Sequence, residues 1–417
     1  MDVKLYNFMI KTAFDTKICP CIHKDILHDL FSKIDYITKS IRFRSVVFMI
    51  NKFKYEISSC IYAYFFFILK DVINLLDYCS RLVKNYRSKI IQHSKMNEQN
   101  IKIVEESCFC VVLAHNTYGS ESELLQASLM GDSTHQWADK CVNIVFLTDG
   151  QVLLQGDHSN VDAIVVMHAG DDSAMKSRRT LWQPDEDVLF DIPVRLSFDL
   201  TTEDITGIID AKRKFNVAKE MHRVDSIKFT GYGNDLLRKA HLYSDTIVQI
   251  ALQLAFLKTH GSFAPIYETA STRKFFHGRT ETVRSCTQEI VNFGRAVIDK
   301  RDLNTQRDLL KVAYNEHNNL MNDCMDGRAR TKNKRIGDKE WAFSFIGYML
   351  DDEIGGHGYV SAMRPDGYGT FYRIGKNIIQ LTITDWRDTK SNLDVYGENI
   401  CWALDHIGCL ISTSSSL

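Results

Sequence analysis

The rhythm of apolar and polar positions changes along the 417-residue chain, and each change predicts a different kind of element. Residues 1 to about 100 are dense in Ile, Phe, Tyr and Lys, hold one proline (Pro20) and no glycine, and read as helices without a recognisable site. From about 101 short apolar runs take over. SCFCVVL (107–113) and CVNIVFL (141–147) read as strands, and TDG joins the second to QVLLQ, which predicts a β-hairpin. A third texture begins near Leu196: RLSFDL predicts a short strand, and Thr201 can cap a helix through IIDAKRKFNVAKEM. The clearest helix has Ser244 or Asp245 as its cap, Ile247, Ile250, Ala251, Leu254 and Phe256 or Leu257 as apolar positions, and Gly261 as its stop. NIIQLTITDW (377–386) predicts another strand, and a C-terminal helix follows. Strands alternating with helices, without internal repeats, predict α/β layers.

Composition narrows the partners. At 45% hydrophobic and 25% charged the chain can build two or three packed cores. Its 51 Lys and Arg nearly cancel 52 Asp and Glu, so nothing predicts bulk attraction to nucleic acid or anionic lipid, and a bound anion must be held locally. The 11 cysteines are scattered, and the close pairs Cys19/Cys21 and Cys108/Cys110 have too short a spacing for a zinc knuckle, so no metal site is expected. The opening MDVKLYNFMIKTAFDTK lacks the apolar core of a secretory signal, which predicts an intracellular, reducing location with free thiols. The apolar run CIYAYFFFIL (60–69) stops at Lys70 and Asp71, short of the roughly 20 residues of a membrane span. A buried helix is favoured there over a membrane-surface helix.

Two segments carry candidate chemistry. In GDHSNVDAIVVM (156–167) His158 stands where a strand ends, and Asp162 follows four residues later, on the same face once a helix has begun. A base with an orienting carboxylate fits this pattern, as does an ordinary surface histidine. ETASTRKFFHGRTETVRSCT (268–287) sets Arg273, Lys274, Arg279 and Arg284 among hydroxyls without a clean helix or strand period. It reads either as a solvated, ion-paired run or as the wall of an anion site.

Together HQWADKCVNIVFLTDGQVLLQGDHSNVDAIVVM and YGNDLLRKAHLYSDTIVQIALQLAFLKTHGSFAPIYETASTRKFFHGRTETVRSCT resemble the choline/carnitine acyltransferase family in the order and spacing of several motifs. The resemblance runs from about 100 to 325 and resumes at DGYGTFYRI (366–374), and HGRTETVRSCT and HNNLMNDC (317–324) are most similar to the family's peroxisomal octanoyl-transferring branch. It implies that His158 is the general base toward the carnitine hydroxyl or the CoA thiol, held by Asp162. Attack on the thioester would then be direct, without an acyl-enzyme. It further implies that Tyr267 and Thr280 hydrogen-bond the carnitine carboxylate, with Thr280 favouring carnitine over choline. Asn234, Arg238 and Asp245 fall on the family's CoA-binding positions, with Lys239 beside them to offset the charge missing at Asn234.

Departures from the pattern cluster after Gly327. Lys332 falls near the family's carnitine-binding arginine, and Gly347, Tyr348 and Met349 fall on its serine-threonine-serine triplet. A lysine lacks the bidentate fork, and loss of an oxyanion donor costs on the order of a hundredfold in rate. The STS at Ser412–Ser414 lies beyond DGYG rather than before it, so it is a decoy. The first hundred residues or so are also unlike the family, as expected of a divergent paralogue or an incomplete gene model.

The expected architecture is a two-domain α/β protein of mixed sheets flanked by helices, similar to the chloramphenicol acetyltransferase-like fold the resemblance implies. Residues 1–100 form a divergent helical region, 101–200 part of the catalytic-histidine domain, and 201–417 a CoA- and carnitine-binding domain shortened near 328–350. The expected activity is reversible transfer of a medium-chain acyl group between CoA and carnitine. Alternatives are a weak or inactive homologue that still binds acyl-CoA, and an enzyme for another alcohol. Acyl-CoA and carnitine are expected as partners, with CoA a substrate rather than a resident cofactor and the chain a monomer. The expected compartment is the peroxisome, with the mitochondrion as alternative. The ending Ser415-Ser416-Leu417 only loosely resembles a peroxisomal signal.

Overall fold

The apolar runs from 101 onward pair as strands, and a computed structural model describes residues 46–50, 87–107, 109–132, 142–156, 162, 165, 195–328, 342–348 and 358–412. The chain divides into two compact units, Met1–His222 and Arg223–Leu417. In the first, β1 (Val46–Ile50), β2 (Phe109–Leu113), β3 (Val142–Phe146) and β4 (Val152–Gly156) lie in that order. β1, β2 and β3 run parallel, and β4 returns antiparallel to β3 through the TDG turn. There Gly150 adopts φ +85° and the Asp149 carboxylate accepts from the Gln151 amide at 3.1 Å. That is the chemistry expected of an αL hairpin corner. β1 thus places a strand inside the region read as helical.

Helices α1 (Lys95–Glu106), α2 (Glu121–Met130) and α3 (Thr202–Met221) accompany this sheet. Ser120 with Glu123, and Thr201 with Asp204, close reciprocal capping boxes at α2 and α3. Val104 of α1, Ala127 of α2 and Val112, Val145 and Leu153 of the strands share one apolar cluster. Ile101 and Ile208 join α1 to α3 in another. RLSFDL, expected as a strand, belongs to no sheet. Its backbone is held by side chains instead: buried Asn97 donates to the Asp199 carbonyl (2.8 Å) and accepts from its amide (2.7 Å), and Asn100 donates to Ser197 (2.5 Å). Those contacts satisfy the polar groups a partner strand would have taken.

The second unit holds a six-stranded sheet of β5 (His222–Phe229), β6 (Ile266–Ser271), β7 (Thr280–Val283), β8 (Ala342–Tyr348), β9 (Tyr368–Ile374) and β10 (Ile379–Trp386), ordered β5-β10-β9-β8-β6-β7. β8 runs parallel to both β6 and β9, while β6–β7 and β9–β10 are antiparallel. Its helices are α4 (Asn234–Lys239), α5 (Ser244–His260), α6 (Gln288–Ile298), α7 (Leu303–Met325) and α8 (Leu393–Ser412). α5 is buried over nearly its whole length, from Thr246 to Leu257, because it packs between the sheet and its neighbouring helices. Gly261 ends it in the left-handed conformation (φ +68°), as expected. Its start differs from the expectation: Tyr243 occupies the cap position, and the side chains of Ser244 and Asp245 are bonded elsewhere. One sheet face, carrying Tyr368, Tyr372, Ile374, Ile379, Leu381 and Ile383, packs with α5 and α8 into the main core. Burying each such side chain contributes about 1.5–3 kcal/mol.

Candidate active site

In the first unit β4 ends at Gly156, two residues before the candidate base in sequence. His158 lies outside the described residues. Asp162 is described: it is buried, and its carbonyl accepts from the Val165 amide at 3.0 Å. A carboxylate shielded this far from water needs polar partners, which suits the orienting role expected of it. Tyr118, Ser128, Asp132, Asn143 and Gln155 line a small cleft beside β3 and β4. Burial first, and the Asp132 charge second, push the Tyr118 phenol up.

In the second unit, the segment that lacked a clear period (268–287) is the β6–β7 hairpin. Ser271 pairs with Thr280 and Glu268 with Val283. Directly paired residues share a sheet face, and alternate residues of one strand do too. Tyr267, Thr269, Ser271, Thr280 and Thr282 therefore carry their hydroxyls on one face, while Ile266, Glu268 and Ala270 are buried on the other. The turn is tight: Phe275 bonds back to Thr272 at 3.0 Å and Gly278 to Phe275 at 2.9 Å. A Cβ on Gly278 would collide with the Thr272 carbonyl, so only glycine fits there. Lys274 is ion-paired to Asp326 and lies 5.4 Å over the Phe275 ring, the surface alternative for this cation.

The expected CoA positions surround α4. The amides of Asn234 and Asp235 donate to the Gly375 and Lys376 carbonyls at 2.8 and 3.0 Å, docking α4 on the β9–β10 turn. Gly233 permits this approach, since a Cβ there would stand 2.6 Å from both carbonyl oxygens. The Asn234 side chain accepts a hydrogen bond from Ser244, so it ties α4 to the start of α5. Arg238 and Lys239 are exposed in the last turn of α4, and Arg238 shares the Asn234 face at four residues' spacing. Asp245 turns inward, where its carboxylate accepts from the Tyr372 hydroxyl, which itself accepts from Gln249 at 2.7 Å. Burial and then the charge of Glu268 push the Asp245 carboxyl up to about 7.

Beside it, His317 of α7 donates to Glu268 of β6 at 3.1 Å, both side chains fully enclosed. Burial alone would lower His317, but the Glu268 charge, its hydrogen bond and the Asp245 charge together hold it above the usual histidine range. No motif pointed to this network of Asp245, Gln249, Glu268, His317 and Tyr372. Its available signals were Gln249 inside the most apolar helix and Glu268 on the core face of a strand.

The DGYG stretch is explained by packing. Tyr368 accepts from the Asn392 amide at 2.7 Å and meets His260 Nε2 at 2.9 Å. A Cβ on Gly369 would strike the Val360 carbonyl, to which Thr384 donates at 2.6 Å. Gly347 and Tyr348, expected at the family's hydroxyl-bearing triplet, lie in β8 opposite Arg373 and Ile374. Lys332 and Met349 are outside the described residues. Among the described residues no three His, Cys, Asp or Glu side chains gather as a metal cluster. None of the described helices is long and apolar enough to cross a membrane.

Residues 81–332 match the family model described as choline/carnitine o-acyltransferase. The peroxisomal carnitine O-octanoyltransferase of Rattus norvegicus is 30% identical over 299 residues, covering 66% of this chain and 49% of the relative. The mitochondrial carnitine O-palmitoyltransferase 2 of Homo sapiens is 32% identical over 196 residues, covering 46% and 30%. The chain thus spans about half the length of the octanoyltransferases it matches. Among solved structures, the epimerization domain of tyrocidine synthetase B aligns with TM-score 0.36 and 10% identity over 73% of this chain and 80% of that one. The TRI3 trichothecene 15-O-acetyltransferase from Fusarium sporotrichioides aligns with TM-score 0.34 and 11% identity over 74% and 79%.

Proposed function

The chain belongs to the choline/carnitine O-acyltransferase family, and from that premise we propose that it transfers a medium-chain acyl group reversibly between CoA and carnitine. His158 is the general base and Asp162 orients it. The imidazole takes the proton of the carnitine hydroxyl as that oxygen attacks the thioester carbonyl, and returns it to the departing CoA sulfur, so atoms and charge balance without an acyl-enzyme. Arg238 and Lys239 hold the phosphates of CoA, with Asn234 and Asp245 shaping that end of the site. Tyr267 and Thr280 receive the acceptor's carboxylate, with Lys332 as the nearby cation. The observation that carries this reading is the common face of Tyr267 and Thr280, two hydroxyls from neighbouring strands aimed at the same side of the hairpin. Acyl-CoA and carnitine are then the partners, and the names of the peroxisomal and mitochondrial relatives support the peroxisome first and the mitochondrion second.

Release of CoA from acetyl-, octanoyl- and palmitoyl-CoA, with and without carnitine, tests the proposal. Carnitine-dependent release, fastest with octanoyl-CoA, is expected. Release independent of carnitine would refute it. A second reading follows from Gly347 in β8, which brings no hydroxyl to the position where the family's triplet stabilises the oxyanion. On that reading the chain binds acyl-CoA and turns over weakly or not at all. Calorimetric CoA binding without acyl transfer would favour it.

A further inference from the structure

We propose that the buried Glu268–His317 pair is a positioning device for the substrate-facing side of the β6–β7 hairpin, a role that rests on the carnitine reading above. α7 packs on the hairpin through Leu320, Met321 and Cys324 against Ala270 and Val283. These lie one and two turns beyond His317, so a single helical stripe braces both strands. Apolar contacts are non-directional and hold two surfaces together without fixing their alignment. The 3.1 Å hydrogen bond from His317 to Glu268 is directional and sets where β6 stands along α7. The 3.6 Å contact of Cys324 Sγ with the Thr282 carbonyl is too weak to do so. Because strand residues alternate, fixing Glu268 on the inner face also fixes Tyr267 and Thr269 on the outer face, and Thr280 through the ladder.

Stability alone does not explain the pair. Both side chains are enclosed, yet Glu268 Oε2 and His317 Nδ1 find no hydrogen-bond partner among the described residues. Apolar residues of similar volume would hold a helix to a strand as well or better, since burying charge offsets most of what pairing contributes. The pair also has charged company: Asp245 of α5 faces it, with Tyr372 of β9 donating to that carboxylate. What the arrangement supplies is one defined alignment for the hydroxyl row opposite.

The test joins a substrate-free measurement to kinetics. In Glu268→Met and His317→Leu, each of which removes one partner of the hydrogen bond, amide exchange in β6 should rise about tenfold while α5 and α8 keep their protection. The carnitine KM should rise about tenfold, with the acyl-CoA KM changed less than twofold. The double variant Glu268→Met/His317→Leu separates alignment from mere packing: it should fold at least as stably and still show the raised carnitine KM. A native carnitine KM in that double variant, an equal rise in both KM values, or unchanged β6 exchange in the single variants would each overturn the proposal. Should the wild-type protein show no carnitine-dependent turnover, the proposed function fails. The exchange experiment still decides the positioning role: faster β6 exchange upholds it and unchanged exchange overturns it.

Discussion

Replacing Asp245 by asparagine should stabilise the protein, and more so as the pH rises. The carboxyl titrates near 3.8 in the unfolded chain and is pushed up to about 7 in the fold, first by burial and then by Glu268. Between those values the folded state holds the proton that the unfolded state has lost. Stability therefore falls as the pH climbs through this window and levels off above about 7. A tenfold change in proton affinity is worth about 1.4 kcal/mol, so the whole displacement amounts to at most about 4 kcal/mol. Asp245 is only partly enclosed, and screening should reduce this to about 2 kcal/mol at pH 8 and less than half of that at pH 5. The asparagine side chain would keep an oxygen to accept from Tyr372 and never carry the charge. For a unit the size of Arg223–Leu417, about 2 kcal/mol should raise Tm by about 4–8 °C. Thermal melts of wild type and variant from pH 5 to pH 8.5 measure the difference. A gain that is flat across the range, or a loss at pH 8, would show that the network does not raise the carboxyl.

Three further outcomes are expected. His158→Ala should lower carnitine-dependent CoA release roughly a hundred- to ten-thousandfold with an unchanged circular dichroism spectrum, and a variant with native turnover would remove His158 from the mechanism. Thr280→Val should raise the carnitine KM about tenfold or more while sparing the acyl-CoA KM, because a hydroxyl facing a charged acceptor is lost; equal effects on both would sink the assignment. Gly233→Ala should cost about 1–3 kcal/mol in a melt and weaken CoA binding by calorimetry, since its Cβ would press on the Gly375 and Lys376 carbonyls that dock α4.

Local signals were legible where one short segment decides the structure. The TDG corner, the Thr201 cap and the Gly261 stop each act within a few residues, and each formed as expected. Arg195–Leu200 shows the opposite case: its composition suits a strand, but Asn97 and Asn100, about a hundred residues away, satisfy its backbone, and no local pattern reveals that. The β6–β7 hairpin was hidden because its turn depends on a close approach at Gly278 rather than a short recognisable corner. Tyr267 and Thr280 were singled out only by what the family resemblance implies. Their common face was not legible there, because it follows from a ladder register set by pairing across the turn. Ser244 and Asp245 read equally well as helix caps, and only the tertiary partners Asn234 and Tyr372 show where those side chains go.

The strand order of the larger sheet also bears on how the chain acquires it. The β6–β7 and β9–β10 hairpins join near neighbours in sequence and can form early, whereas β8 must enter between them, pairing parallel with Ile266 from as far along the chain as Ala342. Contacts of such separation close late, after the loop entropy has been overcome. Until then both β6 and β9 present open edges, one to each side of the gap, and each is a template for another molecule's strand. Refolding yield should therefore fall steeply with protein concentration, even though the finished sheet carries β8 safely at its centre.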